Sequence, residues 1–403
     1  MVSKPNYKKT LRACYLGFIT QAIAANFMPL LFLKVHDDYQ IPLGLIALIP
    51  TAFFFTQLVI DIFCANFVDK IGYRVSIVAS EAFSALGLIC LAFLPEILPS
   101  AYAGFMISVV LYAVGSGLIE VLCSPIVEAC PFENKEATMS LLHSFYCWGW
   151  LGVTLISTLL FTLFGIDNWK YVSCFWAIIP LYNIYNFSTC PIERLVDNGE
   201  GMAISQLFKS PLFWIAAGLM VCSGASELSM AQWASAFVER GLGFSKNVCD
   251  LAGPCLFAVT MGISRVFYGK FGEKVDLMKF MTASGILCLL CYFLSSFSSS
   301  VMALFGCILC GFSVGIMWPG TLSISSKKIP AGGTAMFALL AMAGDLGGAI
   351  GPSMVGMISQ KANDNLQYGL FFGGIFPVLL IVFLFILKGM GKFENAGDGK
   401  GKR

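Results

Sequence analysis

The chain has 403 residues, 58% of them hydrophobic and 12% charged, and a net charge of +2. Soluble domains carry about 25% charged residues, so too few polar side chains are present to cover a globule in water, and the near-neutral balance excludes an electrostatic binder of nucleic acid. Lipid removes the conflict: a membrane helix takes about 20 apolar residues, and a chain of this length holds about twelve such helices with short connections.

Apolar runs bounded by charges, Gly or Pro predict helices over 11–33, 43–66, 75–95, 100–124, 138–164 and 169–190, then over 211–237, 247–268, 277–297, 299–322, 333–359 and 367–388. The first run follows Lys4, Lys8, Lys9 and Arg12 and continues to Leu33. That is longer than the apolar core of a signal peptide, so it reads as an uncleaved first span. The most polar interior stretch, Glu193 to Lys209, lies between the sixth and seventh runs. The expected organisation is a six-helix bundle over 1–190, a cytoplasmic linker over 191–210, and a second six-helix bundle over 211–403 with a short cytoplasmic tail. Lys and Arg concentrate on the connections that share a side with the N-terminus; the opposite side holds only Lys34, Lys170, Arg240, Lys246 and Lys361. The positive-inside rule then makes both termini cytoplasmic, in a multi-pass protein of the cell (inner) membrane. Cys288-x-x-Cys291 and Cys307-x-x-Cys310 have the spacing of a thiolate zinc site, but they fall inside apolar helical runs, where thiols stay protonated. Helix packing is the better reading, and neither a metal, a cofactor nor a disulfide is expected.

The halves repeat. Asp69-Lys70-Ile71-Gly72-Tyr73-Arg74 follows the second helix, and Gly269-Lys270-Phe271-Gly272-Glu273-Lys274 follows the eighth. Asp69, Lys70, Gly72 and Arg74 resemble the loop signature of the major facilitator superfamily, with Ala65 and Tyr73 departing from it and the second copy lacking the Asp. The resemblance implies an all-α membrane protein, twelve transmembrane helices in two pseudo-symmetric six-helix bundles that rock about a central site. It implies a gating or structural role for these loop residues, with Asp69 facing a helix N-terminus. Lys70 and Arg74 would also satisfy topology alone.

An ionisable group inside a span is costly and marks a candidate site. Glu81, Glu120, Glu128, His143, Glu227, Arg265 and Asp345 qualify, while Asp61 lies near a helix end and His36 in an outer loop. Glu120 is the foremost candidate for proton coupling. It precedes Ser124-Pro125, where Pro125 frees a carbonyl and favours a kink, and a carboxyl removed from water binds its proton more tightly. His143, Tyr146 and Trp148 follow in the next helix, and aromatic faces with hydrogen-bonding groups suit a sugar. Glu120, Ser124-Pro125, His143-Ser144-Phe145-Tyr146 and Gly149 resemble the helix 4–5 region of the fucose-permease group of sugar/proton symporters. That resemblance implies Glu120 as the coupling carboxylate and His143 and Tyr146 as sugar contacts. The group's acidic residue in the first helix is absent here, where Ala25, Asn26 and Pro29 stand.

Further binding candidates are Gln21 and Asn26 in the first helix, Glu227, Gln232 and Trp233 in the seventh, and Asp345 in the eleventh. Arg265 is read as a gating or structural cation, with Asp345 as its expected partner. Asn183 and Asn186 read more as inter-helix hydrogen bonds, and the Gly-rich run around Asp345 as close helix packing. Gly311-Phe312-Ser313-Val314-Gly315 matches a hydrolase motif that requires a strand-to-helix elbow, which leaves an intramembrane serine hydrolase as a remote alternative. Proton-coupled symport of a small polar solute, of the sugar class, is the expected function of a monomeric carrier whose partners are substrate, proton and membrane lipid. A proton-driven exporter of drugs or metabolites on the same fold is the rival.

Overall fold

The computed structural model describes residues 6–41, 43–46, 48–195, 202–233, 253, 255–297, 300–362 and 365–398, and within them every regular element is helical. The spans are α1 (Tyr7–Leu31), α2 (Leu48–Ile71), α3 (Tyr73–Ile97), α4 (Ala101–Ala129), α5 (Lys135–Phe164) and α6 (Trp169–Thr189), followed by α7 (Pro211–Ala231), α8 (Leu256–Phe271), α9 (Leu277–Phe297), α10 (Val301–Lys328), α11 (Gly333–Lys361) and α12 (Leu366–Met390). Ten of them are long and apolar enough to cross a membrane; α6 is diluted by Trp, Tyr and Asn, and α8 is described over 16 residues only. Large apolar side chains such as Phe55, Leu159, Tyr171, Phe293 and Val301 point outward. Patches of that extent are excluded from water and are at home against lipid.

The predicted spans match these helices closely, and the misses have local causes. Helix α4 does not stop at residue 124 but runs through Pro125 to Ala129. A lost hydrogen bond is tolerated inside a span when neighbouring groups satisfy the freed carbonyl. The predicted linker contains a short helix, Ile204–Lys209. The predicted start of the eighth span and the end of the seventh lie outside the described residues. Helix α1 turns to a 3-10 segment over Met28–Leu31, where Pro29 is placed.

The chain forms two compact units, Met1–Met202 with Ala331–Leu339, and Ala203–Pro330 with Leu340–Arg403. In the first, α3 packs on α4 and α6, α4 on α2, and α1 on α5; in the second, α9 packs on α10 and α12, and α10 on α8. The same order of pairings therefore recurs six helices later. Small residues set the closest approaches, as expected where lipid supplies no hydrophobic drive between helices. A Cβ on Gly115 would lie 2.4 Å from the Ser80 carbonyl, and one on Gly87 2.5 Å from the Tyr112 nitrogen, so α3 and α4 meet backbone to backbone. In the second unit, Cβ atoms on Gly224 and Gly347 would fall 2.1 and 2.0 Å from the carbonyl oxygens of Gly344 and Val221, which joins α7 to α11 in the same way.

The α2–α3 turn is tight, with Gly72 at φ +99°. It aims Arg74 at the end of α6, where the guanidinium donates to the carbonyls of Phe187 (2.7 Å), Ser188 (3.0 Å) and Cys190 (2.8 Å). A helix C-terminus leaves its last carbonyls without intrahelical partners and carries partial negative charge, so a cation placed there caps it. Asp69 Oδ1 accepts from the Thr334 hydroxyl (2.7 Å), in the first turn of α11, and the Tyr73 and Thr334 hydroxyls bond to each other. Lys70 lies over the Phe67 ring at 5.7 Å. Arg74→Ala is expected to lower stability by about 1 kcal/mol, because Arg74 is exposed and water screens part of its hydrogen bonding. Thermal unfolding of the purified protein checks this; an unchanged midpoint would mean that water caps α6 equally well. At the other end of the first unit, Lys34 pairs with Asp167 and with Asp38 (2.9 Å), and both raise the hold of its ammonium on the proton. Lys170 donates to Glu96 at 2.6 Å.

Candidate functional site

In the first unit the polar side chains of α1, α2, α4 and α5 converge. Gly149 allows α5 to approach α1, its missing Cβ lying 2.8 Å from that of Ala22. Gly117 does the same between α4 and α2, where a Cβ would stand 3.1 Å from Ile60 and 3.4 Å from the Gln57 Cα. This closeness lets Gln57 reach Glu120 on α4. Glu120 is half-buried, and its Oε2 accepts from Gln21 Nε2 (3.0 Å) and from Gln57 Nε2 (2.8 Å). The Gln57 amide also lies 3.4 Å from Ser116 Oγ. Gln21 is 7% exposed, and its carbonyl Oε1 is buried with no hydrogen-bond partner. One turn along α4, Ser124 Oγ and His143 Nε2 are 3.1 Å apart, and the Phe18 ring tilts against the imidazole at 4.7 Å. Tyr15 stacks on Phe145 at 4.0 Å.

The structure thus brings Gln21, Glu120 and His143 into one unit on packed helices. Tyr146 and Trp148 are half-buried on α5. Asn26 turns its amide back to the Ala22 carbonyl at 2.9 Å, which explains the local helix end better than ligand contact does. Sequence reasoning passed over Gln57. Its signal was present: an amide inside the apolar run Phe53-Phe54-Phe55-Thr56-Gln57-Leu58-Val59-Ile60 must find a partner in lipid, as a charge must.

Other ionisable groups of this unit have different surroundings. Glu81 is fully buried on α3, and Asn183 Nδ2 donates both to its Oε1 (2.7 Å) and to the Ala13 carbonyl (3.0 Å), tying α6 to α3 and α1. Asn186 donates to Asn183 Oδ1 at 3.3 Å. Glu128 pairs with Lys135 at 3.9 Å near the end of α4. Asp61 does not reach an interface as expected; it is fully buried, because α2 continues ten residues past it to Ile71. His36 does not lie in an open loop as expected but on a short helix, Phe32–Tyr39, with Nδ1 at 2.7 Å from the Ile41 carbonyl.

The second unit holds a buried ion pair. Arg265 on α8 is 4% exposed, and its Nη2 lies 3.5 Å from Glu227 Oε2 on α7. Its Nε donates to the Gly315 carbonyl at 2.9 Å. That carbonyl is available because Pro319 stands four residues later without an N–H, and α10 is broken between Val314 and Met317. The partner found for Arg265 is thus Glu227, where the sequence pointed to Asp345. Asp345 is half-buried with an Oδ2 lacking a hydrogen-bond partner, and beside it the Trp318 ring covers Gly344, whose Cβ would be 2.3 Å from the indole. Trp233 donates to the Pro352 carbonyl at 3.1 Å and packs on Gly356, which makes it part of the α7–α11 contact. Gln232 is exposed. Ser313 sits inside helix α10, not on an elbow, with its hydroxyl donating to the Cys310 carbonyl at 2.7 Å. Cys288, Cys291, Cys307 and Cys310 are buried free thiols, the first and last sulfurs 3.9 Å apart. Among the described residues no three His, Cys, Asp or Glu side chains cluster to hold a metal.

The family model of the Major Facilitator Superfamily matches residues 13–352. No curated protein sequence matches the chain. Among solved structures, the fucose:proton symporter FucP of E. coli is 16% identical, with a TM-score of 0.77 over 93% of this chain and 98% of that one. The proton:xylose symporter XylE, bound to 6-bromo-6-deoxy-D-glucose, is 12% identical, with a TM-score of 0.82 over 94% and 95%. The human organic anion transporter MFSD10 is 15% identical, with a TM-score of 0.72 over 94% and 100%.

Proposed function

This chain belongs to the major facilitator superfamily, and from that premise we propose that it carries a small polar solute of the sugar class together with a proton, by alternating access. The observation that carries the reading is the Glu120 carboxylate, half-buried in a bundle and held at Oε2 by two neutral amides, beside the unfilled acceptor Oε1 of Gln21. Gaining or losing a proton at this carboxyl leaves the charge of the two amides that donate to it unchanged. An unfilled buried acceptor costs free energy until a donor arrives, and a sugar hydroxyl is such a donor. His143, with Ser124, offers a second polar contact, and Phe18 an apolar face nearby. The solved sugar:proton symporters of this fold support the same class of cargo.

In the proposed cycle, proton and solute each bind the competent state better when the other is present, which is what coupling means thermodynamically. Without the proton, a bare carboxylate enclosed away from water penalises the occluded state. The carrier is proposed to be a monomer with both termini in the cytoplasm, in the cell membrane.

The test is sugar-driven proton movement in proteoliposomes, with L-fucose, D-xylose and common hexoses. Wild type is expected to alkalinise the external medium with one of them, and Glu120→Gln to abolish that response while still binding the sugar. Extrusion of a lipophilic cation under an imposed pH gradient, with no sugar moving protons, would establish the exporter instead.

A further inference from the structure

We propose that Cys288 on α9 and Cys310 on α10 form a two-coordinate site for a soft divalent metal ion of the mercury class, delivered through lipid as its neutral dihalide. The ion is exogenous, not a resident cofactor, and the site stands whether or not the chain moves a sugar. The two Cys-x-x-Cys motifs lie on successive spans that run antiparallel and meet in register. Cys288 Sγ and Cys310 Sγ are 3.9 Å apart. A Cβ on Gly306 would stand 3.0 Å from the Cys291 carbonyl oxygen, and Ser295 Oγ donates to the Ala303 carbonyl at 3.3 Å. Each step along α9 is thus met by a step back along α10. Cys288, Cys291, Cys307 and Cys310 are all fully buried and none is in a disulfide.

Zinc does not suit this seam. A structural zinc site takes four ligands, and among the described residues no three His, Cys, Asp or Glu side chains cluster. Mercury(II) is satisfied by two sulfurs. In the linear arrangement it prefers, the sulfurs stand about 4.6 Å apart, twice a metal–thiolate bond of about 2.3 Å. The observed pair at 3.9 Å needs to open only slightly.

Charge selects the valence. The thiolate is the metal ligand, so binding releases protons. The two metal–chloride bonds of the dihalide are exchanged for two metal–sulfur bonds. Each thiol proton leaves with a chloride, and nothing is oxidised or reduced. The bis-thiolate of a divalent ion is neutral, whereas a monovalent ion on the same sulfurs would leave a negative charge in an apolar interior, which is costly. Ile286, Leu290 and Phe293 on α9 and Phe305 on α10 are exposed, so these spans are reached from lipid, where a neutral dihalide dissolves and a bare ion does not. The bridge would pin α9 to α10 one turn before the break in α10 that follows Val314.

The probe is mercuric chloride, one equivalent per chain, added to the purified full chain in detergent. A wash with about a hundredfold excess of a monothiol follows; it strips singly held mercury but competes poorly with two thiols fixed in one site. Wild type is expected to retain one mercury per chain, with two sulfur neighbours in X-ray absorption at the mercury edge, and to unfold at a higher temperature than without it. In Cys288→Ala and in Cys310→Ala, retention is expected to fall about tenfold or more. Two controls are expected to keep the metal. Cys291→Ala removes a buried thiol one turn along α9 without touching the pair. Cys123→Ala removes a thiol of the first unit whose sulfur lies 4.0 Å from the Cys14 carbonyl, so loss there would move the site to α1 and α4. One sulfur neighbour in washed wild type, undiminished retention in Cys288→Ala or Cys310→Ala, or loss in either control overturns the proposal. The sulfur count is read on wild type and does not depend on any variant folding.

Discussion

Arg265→Met is expected to destabilise the protein by about 3–5 kcal/mol, the cost of leaving one charge of a buried pair without its partner. Glu227 would remain at 15% side-chain exposure opposite a thioether, and the Gly315 carbonyl, already deprived of an N–H by Pro319, would lose the Nε donor as well. Arg265→Lys should fall between, since an ammonium can still face Glu227 but lacks the guanidinium fork that serves both acceptors. The double variant Arg265→Met, Glu227→Met tests the cause. Replacing both charges by apolar groups removes the isolated ion, so it should unfold at a higher temperature than either single variant. Tryptophan fluorescence during heating in detergent gives the midpoints; a wild-type midpoint for Arg265→Met would show that water, not the pair, satisfies these groups.

Gly347→Ala is the second large effect, at about 3 kcal/mol, the upper end of the range for overpacking. The added methyl would meet the Val221 carbonyl oxygen at 2.0 Å, and the obstacle is backbone on a packed helix, so no side chain can turn aside. Helix α7 must move off α11, and it takes the Gly224–Gly344 contact with it. Gly152→Ala is the control. It lies in α5 with nothing within 4 Å of the new atom, and alanine is about 0.8–1 kcal/mol better than glycine in a helix interior. Opposite shifts in the thermal midpoint are expected. Equal shifts for the two would mean that helix propensity, rather than inter-helix contact, governs these positions.

Much of the fold was legible because lipid simplifies the reading. Each span must be apolar over its whole length, so hydropathy alone located the helices that the structure contains. Boundaries failed where a soluble-protein rule was applied at Pro125, where α1 passes into a 3-10 turn near Pro29, and at α2, which starts and ends five residues later than its predicted run of 43–66. The candidate site was legible in part. Charge drew attention to Glu120, but no rule of spacing could show that Gln57, sixty-three positions earlier, donates to it; the amide is neutral and does not stand out among charges. For Arg265 the residue was recognised and its partner was not. The information was nonetheless partly written in the chain, since a proline at 319 announces an unpaired carbonyl at 315, and a buried guanidinium needs acceptors. What sequence cannot supply is which carboxylate stands within reach, and that depends on the rotation of α7 and α11 about their own axes.

The two copies of the loop motif share letters and differ in backbone. Gly72 is held at φ +99°, whereas Gly272, in the matching loop, is right-handed at φ −59°. In a library randomised at each position and selected for function, position 72 should return glycine almost alone, because side-chain-bearing residues are strained there. Position 272 should accept alanine, after the Tyr268 ring, 3.0 Å from the new methyl, has shifted slightly. The second copy has kept the Lys and the Gly of the motif, but only the first retains the conformational demand behind that glycine, so substitution tolerance, rather than the shared letters, tells the two loops apart.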